Sequence, residues 1–414
     1  MLGGFFVGGG KQFNGQEYFA EYLSLIEKKG LYPAVYKVDG PSTAPEVVIA
    51  NKKYLTFCSN NYLGIANHPE INSVAVKGIE KFGIGSGSTR LLSGSLDVQY
   101  ECEKVLANFF GYEEVITFSS GYLANVGVIK MLIDPFPYFQ IFGEGEGVIF
   151  SDAFNHASVI DGIRLSKARR EVYPHSDMNA LEHALRSNRG KRKLILTDGI
   201  FSMDGDAADL KRITELAREY NAIVMVDDSH GVGVLGPHGE GTAAAQGVND
   251  KIDVFMGSFT KAFGSIGGFI ATSKTISEYL RITARSYIFS DPIPPLIASA
   301  LIKATRIVRD NPERRKKVLE NAEYLRESLK KMGLTVLGGE SAIVPILIGD
   351  EKKAMALADS LFQNGILAPC IRRPAVAEGM ERIRFSVMAT HTRNQIDRLL
   401  TTVNSESKKS RVIQ

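Results

Sequence analysis

Between residues 115 and 271 the chain alternates short, continuously apolar runs with helical stretches. The runs are VITF (115–118), GVIF (147–150), KLILTD (193–198), AIVMVD (222–227), DVFMG (253–257) and GGFIA (267–271). Amphipathic segments at 156–168, 177–187 and 208–219 lie between them. A strand that is apolar on both faces must be covered on both. Intervening helices supply the cover and return the chain to start a parallel neighbour. The pattern therefore predicts an α/β fold with a mainly parallel sheet. Such sheets take ligands beyond the carboxyl ends of their strands, so the residues that follow these runs are the first candidates for chemistry.

The flanks read differently. Gln16–Lys29 predicts an amphipathic helix stopped by Gly30, and residues 31–58 look extended, with VVIA and YLTF as short strands. Asn60, Asn61 and Gly64 mark a loop. At Pro292, Pro294 and Pro295 the pattern changes again. A helical segment over 296–332, interrupted near Asn311-Pro312, precedes strands near 334–336, 343–348, 366–369 and 382–387 and helices near 351–363 and 392–403. The expected division is 1–58 (helix and extended segment), 59–291 (large domain) and 292–414 (a small α+β domain). The last ten residues are polar and are expected to fray.

Composition narrows the function. Of 414 residues, 44% are apolar and 23% charged, an ordinary globular mix. Lys and Arg number 49 against 46 Asp and Glu, a net charge of +3 that favours neither nucleic acid nor an anionic membrane as partner. Cys58, Cys102 and Cys370 are widely spaced, so neither a disulfide framework nor a metal site is expected, and a cytoplasmic location fits. No apolar run approaches the ~20 residues of a membrane span. The opening MLGGFFVGGGK lacks the basic start of a signal peptide.

Two nucleotide-site lookalikes fail on inspection. GGGK at 8–11 lacks the earlier glycine and the Ser/Thr of a P-loop. Gly231, Gly233 and Gly236 fit G-x-G-x-x-G, but Asp227, Asp228 and His230 stand between strand and glycines, and the two carboxylates would repel a pyrophosphate. G-x-S-x-G and H-E-x-x-H are both absent. What remains is a set of polar residues just past strands. Asp227 ends one run, with His230 three residues on. Lys261 follows another and is itself followed by glycines. FSSGYLAN (118–125) runs from strand through Ser-Gly into a helix, exposing N–H groups to an anion. His156 stands near a helix start, and Ser202 lies in a loop after a strand. Singly, each reads as a cap, a surface charge or a loop residue. Together they supply what pyridoxal 5′-phosphate (PLP) requires: an amine, a carboxylate for the pyridine nitrogen, a ring-stacking side chain and a phosphate cradle.

The chain resembles the α-oxoamine synthase family of fold-type I PLP enzymes. The resemblance covers roughly residues 17–403. It rests on CSNNYLG, GSGSTRLLSGS, SSGYLAN, SDAFNHASVIDGIRLSKA, DGIFSMDGD, VDDSHGVGVLG, SFTKAFG, YIFSDPIPP and RIRFSVMATHT, in that order. It implies a seven-stranded, mainly parallel sheet and a decarboxylating condensation of Gly, Ala or Ser with an acyl thioester of coenzyme A or acyl carrier protein. By the same resemblance Lys261 bonds the cofactor and carries the Cα proton, Asp227 pairs with the pyridinium nitrogen and His156 stacks on the ring. His230 and Ser202 would bond the cofactor's phenolic oxygen or the thioester carbonyl. Ser120, Gly121, Tyr122 and Ser258 would hold the phosphate, and Asn60 and Arg384 the amino-acid carboxylate. The resemblance also implies a homodimer with interface sites, in which Ser290 reaches the partner's phosphate. His391 reads as structural.

Residues 133–146 (IDPFPYFQIFGEGE) are longer than the family pattern. Phe136, Tyr138, Phe139 and Phe142 favour packing on a partner over lining an acyl channel. Two rivals stand beside the main reading. One is another fold-type I PLP enzyme, an aminotransferase or lyase. The other is a non-catalytic subunit of the same fold, against which Lys261, Asp227 and His156 argue.

Overall fold

The computed structural model describes residues 15–32, 35–134 and 147–409. The aromatic residues Phe136, Tyr138, Phe139 and Phe142 lie outside them. The first described elements are α1 (Gly15–Lys28), β1 (Glu46–Ile49), β2 (Lys52–Thr56), α2 (Pro69–Phe82) and α3 (Asp97–Phe110). The alternating region follows: β3 (Glu114–Phe118), α4 (Gly121–Ile133), β4 (Gly147–Asp152), α5 (Ala157–Arg164), β5 (Arg169–Tyr173), α6 (Met178–Arg186), β6 (Arg192–Asp198), α7 (Leu210–Tyr220), β7 (Ile223–Asp227), the short α8 (Thr242–Ala245), β8 (Val254–Ser258) and β9 (Gly268–Thr272). Then come α9 (Lys274–Thr283), α10 (Arg285–Ile288), α11 (Pro295–Asp310), α12 (Pro312–Lys331), β10 (Ile343–Leu347), α13 (Glu351–Gln363), β11 (Ile366–Leu367), β12 (Cys370–Ile371), β13 (Arg382–Ser386) and α14 (Arg393–Lys409).

The large sheet has seven strands in the order β3-β9-β8-β7-β6-β4-β5. β4, β5, β6, β7 and β8 pair in parallel, while β9 runs antiparallel to both β3 and β8. All six runs read from the sequence are strands of this sheet. Apolar clusters cover both faces. Leu106, Phe110, Phe255, Phe269 and Leu301 belong to one, and Ile116, Val128, Ile149, Leu196 and Ile270 to the other. Side-chain caps set where helices begin: Ser120 for α4, Asp177 for α6 and Asp209 for α7 each accept a first-turn N–H.

A third apolar cluster, including Leu55, Phe57, Leu325, Ile346, Leu361, Phe385 and Leu399, joins the N-terminal strands to the C-terminal elements. β11 pairs with β2, and β10 and β12 flank β13.

Several expectations are corrected. β5 was absent from the apolar runs because RREVY is a charged edge strand, buried only at Tyr173. The helix expected over 156–168 stops at Arg164 so that β5 can begin. Residues 334–336 form no strand, only a bridge from Val336 to Ile346. The strand expected over 366–369 is only β11, 366–367, and β12 follows at 370–371 on a different sheet. The polar tail is helical through Lys409, with Glu406 and Ser407 buried.

Candidate active site

The carboxyl ends of the parallel strands converge on a cavity of about 260 Å³. Its wall includes Ser120, Gly121 and Tyr122 after β3, His156 after β4, Ser202 after β6, Asp227 and His230 at and after β7, and Ser258 and Lys261 at and after β8. Asn60, Ser290 and Arg384 are not in that wall.

A candidate anion cradle comes from β3, α4 and the reversed strand. Ser120 caps α4, accepting Leu123 N–H at 3.1 Å. The first N–H groups of a helix have no intrahelical partner, which leaves those of α4 facing the cavity. Gly268 enters from β9 so closely that a Cβ there would stand 2.5 Å from both Cα and N of Gly121. Ser258 faces Gly121 from β8, and its hydroxyl is 2.8 Å from that of Thr260. The Tyr122 hydroxyl donates to Asp161 on α5. Tyr122 therefore offers the cradle its backbone and not its phenol.

Asp227 is buried and fixed by three donors: Asn125 Nδ2 at 2.7 Å, and Ser229 through N at 3.1 Å and Oγ at 2.6 Å. His156 sits at the start of α5, with Nδ1 2.7 Å from Ser158 Oγ. Ser158 in turn accepts from Asn125 at 2.9 Å, so one amide ties the carboxylate to the imidazole. Asp198 pairs in register with Asp227 across β6 and β7 and accepts His156 N–H at 3.2 Å. Burial, reinforced by the Asp227 charge, holds the Asp198 carboxyl well above the usual range.

Lys261 lies on the β8–β9 connection between buried Phe259 and Phe263. Burial lowers its pKa, opposed by Asp227 and Asp198 and assisted by Arg384. His230 Nδ1 is 2.7 Å from the Tyr62 hydroxyl, which also reaches Asn60 Oδ1 at 3.3 Å. Burial, then the positive charge of Lys261, Arg384 and His156, holds His230 neutral, well below its ordinary pKa. Arg384 is buried on β13, donating through Nε to the Ser202 carbonyl and through Nη1 to Ser386 Oγ at 2.9 Å. It stands behind the wall, and its charge reaches Tyr62, His230 and Lys261. Ser290 Oγ lies 3.5 Å from Ser119 Oγ, outside the cavity of its own chain. His391 is a packing residue, stacked on Phe57 at 4.4 Å and bonded to Met388 N–H and the Thr56 carbonyl.

Asp198, Asn125, Thr260 and Tyr62 were not singled out from the sequence. All four sit inside quoted motifs, close in sequence to Ser202, Tyr122, Lys261 and Asn60, and that proximity was the available signal.

Residues 52–403 match the family model for aminotransferase class I and II. The chain belongs to that family. It is 43% identical to 8-amino-7-oxononanoate synthase of Lysinibacillus sphaericus over 396 residues, covering 95% of this chain and 99% of the relative. Among solved structures it is similar to serine palmitoyltransferase of Sphingomonas wittichii (29% identical, TM-score 0.88, 96% and 98% of the two chains). It is also similar to a variant serine palmitoyltransferase from S. paucimobilis with PLP bound (30% identical, TM-score 0.89, 97% and 100%). These relatives are α-oxoamine synthases, and the chain is a member of that family. Its cofactor is PLP.

The residues present fit that group. Gly268 on β9 packs on Gly121 with no room for a side chain, which seats the start of α4, with its free N–H groups, at the cavity wall. A buried amine, an oriented carboxylate and an imidazole share the same cavity. Among the described residues no His, Cys, Asp and Glu group is arranged to hold a metal ion, and no helix is long and apolar enough to cross a membrane.

Proposed function

We propose that this enzyme is an 8-amino-7-oxononanoate synthase. The observation that carries the reading is 43% identity to a protein of that name across nearly the full length of both chains. The product's own chemistry then names the reactants. Carbon 8 bears the amine and a methyl group, which is alanine after loss of its carboxyl carbon. Carbons 1 to 7 come from a seven-carbon diacid activated as a thioester, on coenzyme A or a carrier protein.

PLP supplies an aldehyde that bonds an amine and a pyridinium ring that withdraws electrons from the amino acid's α-carbon. Ser120, Gly121, Tyr122 and Ser258 would hold its phosphate, and Asp227 its ring nitrogen. His156 would cover the ring face, and Ser202 or His230 would meet its phenolic oxygen. Lys261, its charge disfavoured by burial, would be the amine that holds the cofactor and would take the alanine α-proton. The α-carbon then bonds the thioester carbonyl carbon, the thiol leaves, carbon dioxide leaves, and a proton returns to the α-carbon. His230, neutral and anchored by Tyr62, is placed to donate to the developing oxyanion. Arg384 and Asn60 would take the alanine carboxylate, and Arg384 must reorient from the Ser202 carbonyl to do so. The enzyme acts as a homodimer, a reading supported by exposed Ile84, Leu91, Leu92 and Phe289. Ser290, next to Phe289, reaches the partner's phosphate in that assembly. The domain division at 58/59 and 291/292 belongs to this reading as well.

A second reading, serine with a longer acyl chain, is favoured by the structural likeness to serine palmitoyltransferase. A visible absorption titration of the PLP-loaded protein with glycine, L-alanine and L-serine separates them. The expected result is a saturable shift with L-alanine, then release of thiol and carbon dioxide in equal amounts on adding the seven-carbon thioester. Saturation by L-serine alone would replace the first reading with the second. No cofactor band at all would overturn both.

A further inference from the structure

His175 lies outside the cavity wall, in the turn between β5 and α6. Both of its ring nitrogens face carboxylates. Nδ1 is 2.9 Å from Asp152 Oδ1, and Nε2 is 2.9 Å from Asp206 Oδ2. Ionised carboxylates only accept hydrogen bonds, so a ring that bonds both must carry a proton on each nitrogen. The ring is also packed on both sides, stacked on Phe154 at 4.2 Å and met edge-on by Phe201 at 4.4 Å.

The two carboxylates belong to different parts of the site. Asp152 ends β4, whose continuation delivers His156; its oxygens also accept Phe154 N–H at 2.8 Å and Ser176 N–H at 2.9 Å. Asp206 closes the loop after β6, where Phe201 N–H bonds the Asp206 carbonyl at 2.9 Å and Gly205 N–H bonds the Phe201 carbonyl at 2.8 Å. That loop carries Ser202 and receives the C-terminal strand. Arg384 donates to the Ser202 carbonyl, Arg382 reaches Asp204 at 2.6 Å, and Ser341 Oγ donates to the Gly205 carbonyl at 2.7 Å.

We propose that His175 is a positioning residue that stays charged through the working pH range and pins the Ser202 loop, with the Arg384 seated on it, against the strand end that delivers His156. The ionisable groups facing the ring are Asp152 from β4 and Asp206 from the loop. Burial opposes the charge, but hydrogen bonds to those two carboxylates outweigh it and raise His175 to about 10. The inference rests on the proposed condensation only for its kinetic part.

The test uses the full chain with ¹⁵N-labelled histidine, the His175 signals being assigned by their loss in H175F. In the wild type both ring nitrogens should remain protonated from about pH 6 to about pH 9. In D206N one carboxylate is gone, and the midpoint should fall into that window. The D206N KM for the amino acid should then rise about tenfold as pH passes the midpoint, the size of one lost charge-assisted hydrogen bond, while the wild-type KM does not follow that titration. H175F should show the raised KM at every pH, with kcat changed less. A wild-type ring that titrates near its ordinary 6.5 overturns the charge assignment. A doubly protonated ring with a KM in D206N that ignores pH overturns the positioning role. If the protein turns over no amino acid, the nitrogen titrations still decide the charge assignment, and the failure is that of the proposed reaction.

Discussion

Replacing Gly268 by alanine tests the cradle without touching a polar group. The added methyl would lie 2.5 Å from Cα and from N of Gly121, and 2.9 Å from the Ser120 carbonyl carbon. Non-bonded carbon atoms settle at about 3.5–4.0 Å, so β9 and the start of α4 must part by about 1 Å. Both neighbours are backbone in a packed sheet and helix, and neither can swing aside. Overpacking of this kind costs about 1–3 kcal/mol. The separation also moves the N–H groups proposed to hold the phosphate, so cofactor affinity should fall at least tenfold. Gly121→Ala is the internal control. Its methyl would meet the flexible end of Met256 at 2.8 Å, which can swing aside, and Ser258 Cβ at 3.2 Å, which needs to give only a few tenths of an ångström. Thermal unfolding of the cofactor-free protein reads the stability cost, and absorbance titration with PLP reads the affinity. A G268A protein that melts and binds PLP like wild type, or less affected than G121A, would refute the reasoning.

Lys261→Ala should abolish turnover while PLP still binds without a covalent bond, seen as cofactor lost on denaturing mass spectrometry and retained on native mass spectrometry. Arg384→Lys should raise the amino-acid KM at least tenfold, because a lysine cannot bond Ser202 and Ser386 and also present a fork to a carboxylate; steady-state kinetics with varied L-alanine checks it. Burial lowers His391 to about 4, below its ordinary 6.5. The unfolded chain therefore binds the proton first, and stability is lost as pH falls from 6.5 to about 4. At full effect this is about 3 kcal/mol. His391→Gln should flatten that part of the profile, so the melting-temperature difference between wild type and variant should narrow as the solution is acidified through this range.

The sheet was legible because its central strands are apolar on both faces, which few other structures tolerate. Lys261, Asp227, His156 and Ser202 were legible because each stands at the end of such a strand or in the loop just after it. β5 was not, because an edge strand needs little apolar character and RREVY has little. β12 escaped, and the strand expected over 366–369 shrinks to the two residues of β11, because two-residue strands exist only through partners far away in sequence. Asn125 and Ser158 escaped for a related reason. Their link from Asp227 to His156 spans β7, α4 and α5, and no spacing in the sequence encodes it. Arg384 was found by its motif, but its seat behind Ser202 depends on how β13 meets the β6 loop.

The reversed direction of β9 bears on how this enzyme can diverge. The connections through α5, α6 and α7 are crossovers that could lengthen at their surface ends without moving the strands they join. The stretch that carries Lys261 has no such freedom. It joins two hydrogen-bonded neighbours, β8 and β9, whose nearest residues Ser258 and Gly268 are paired, and it is closed on itself by bonds from Phe259 N–H to the Gly267 carbonyl and from Ser265 N–H to the Phe259 carbonyl. An inserted residue there would have to enter a core that already holds Phe259, Ala262 and Phe263. Change in substrate preference among such enzymes is thus channelled toward the outer loops and the C-terminal strand, while the length of the lysine loop is held constant by packing alone.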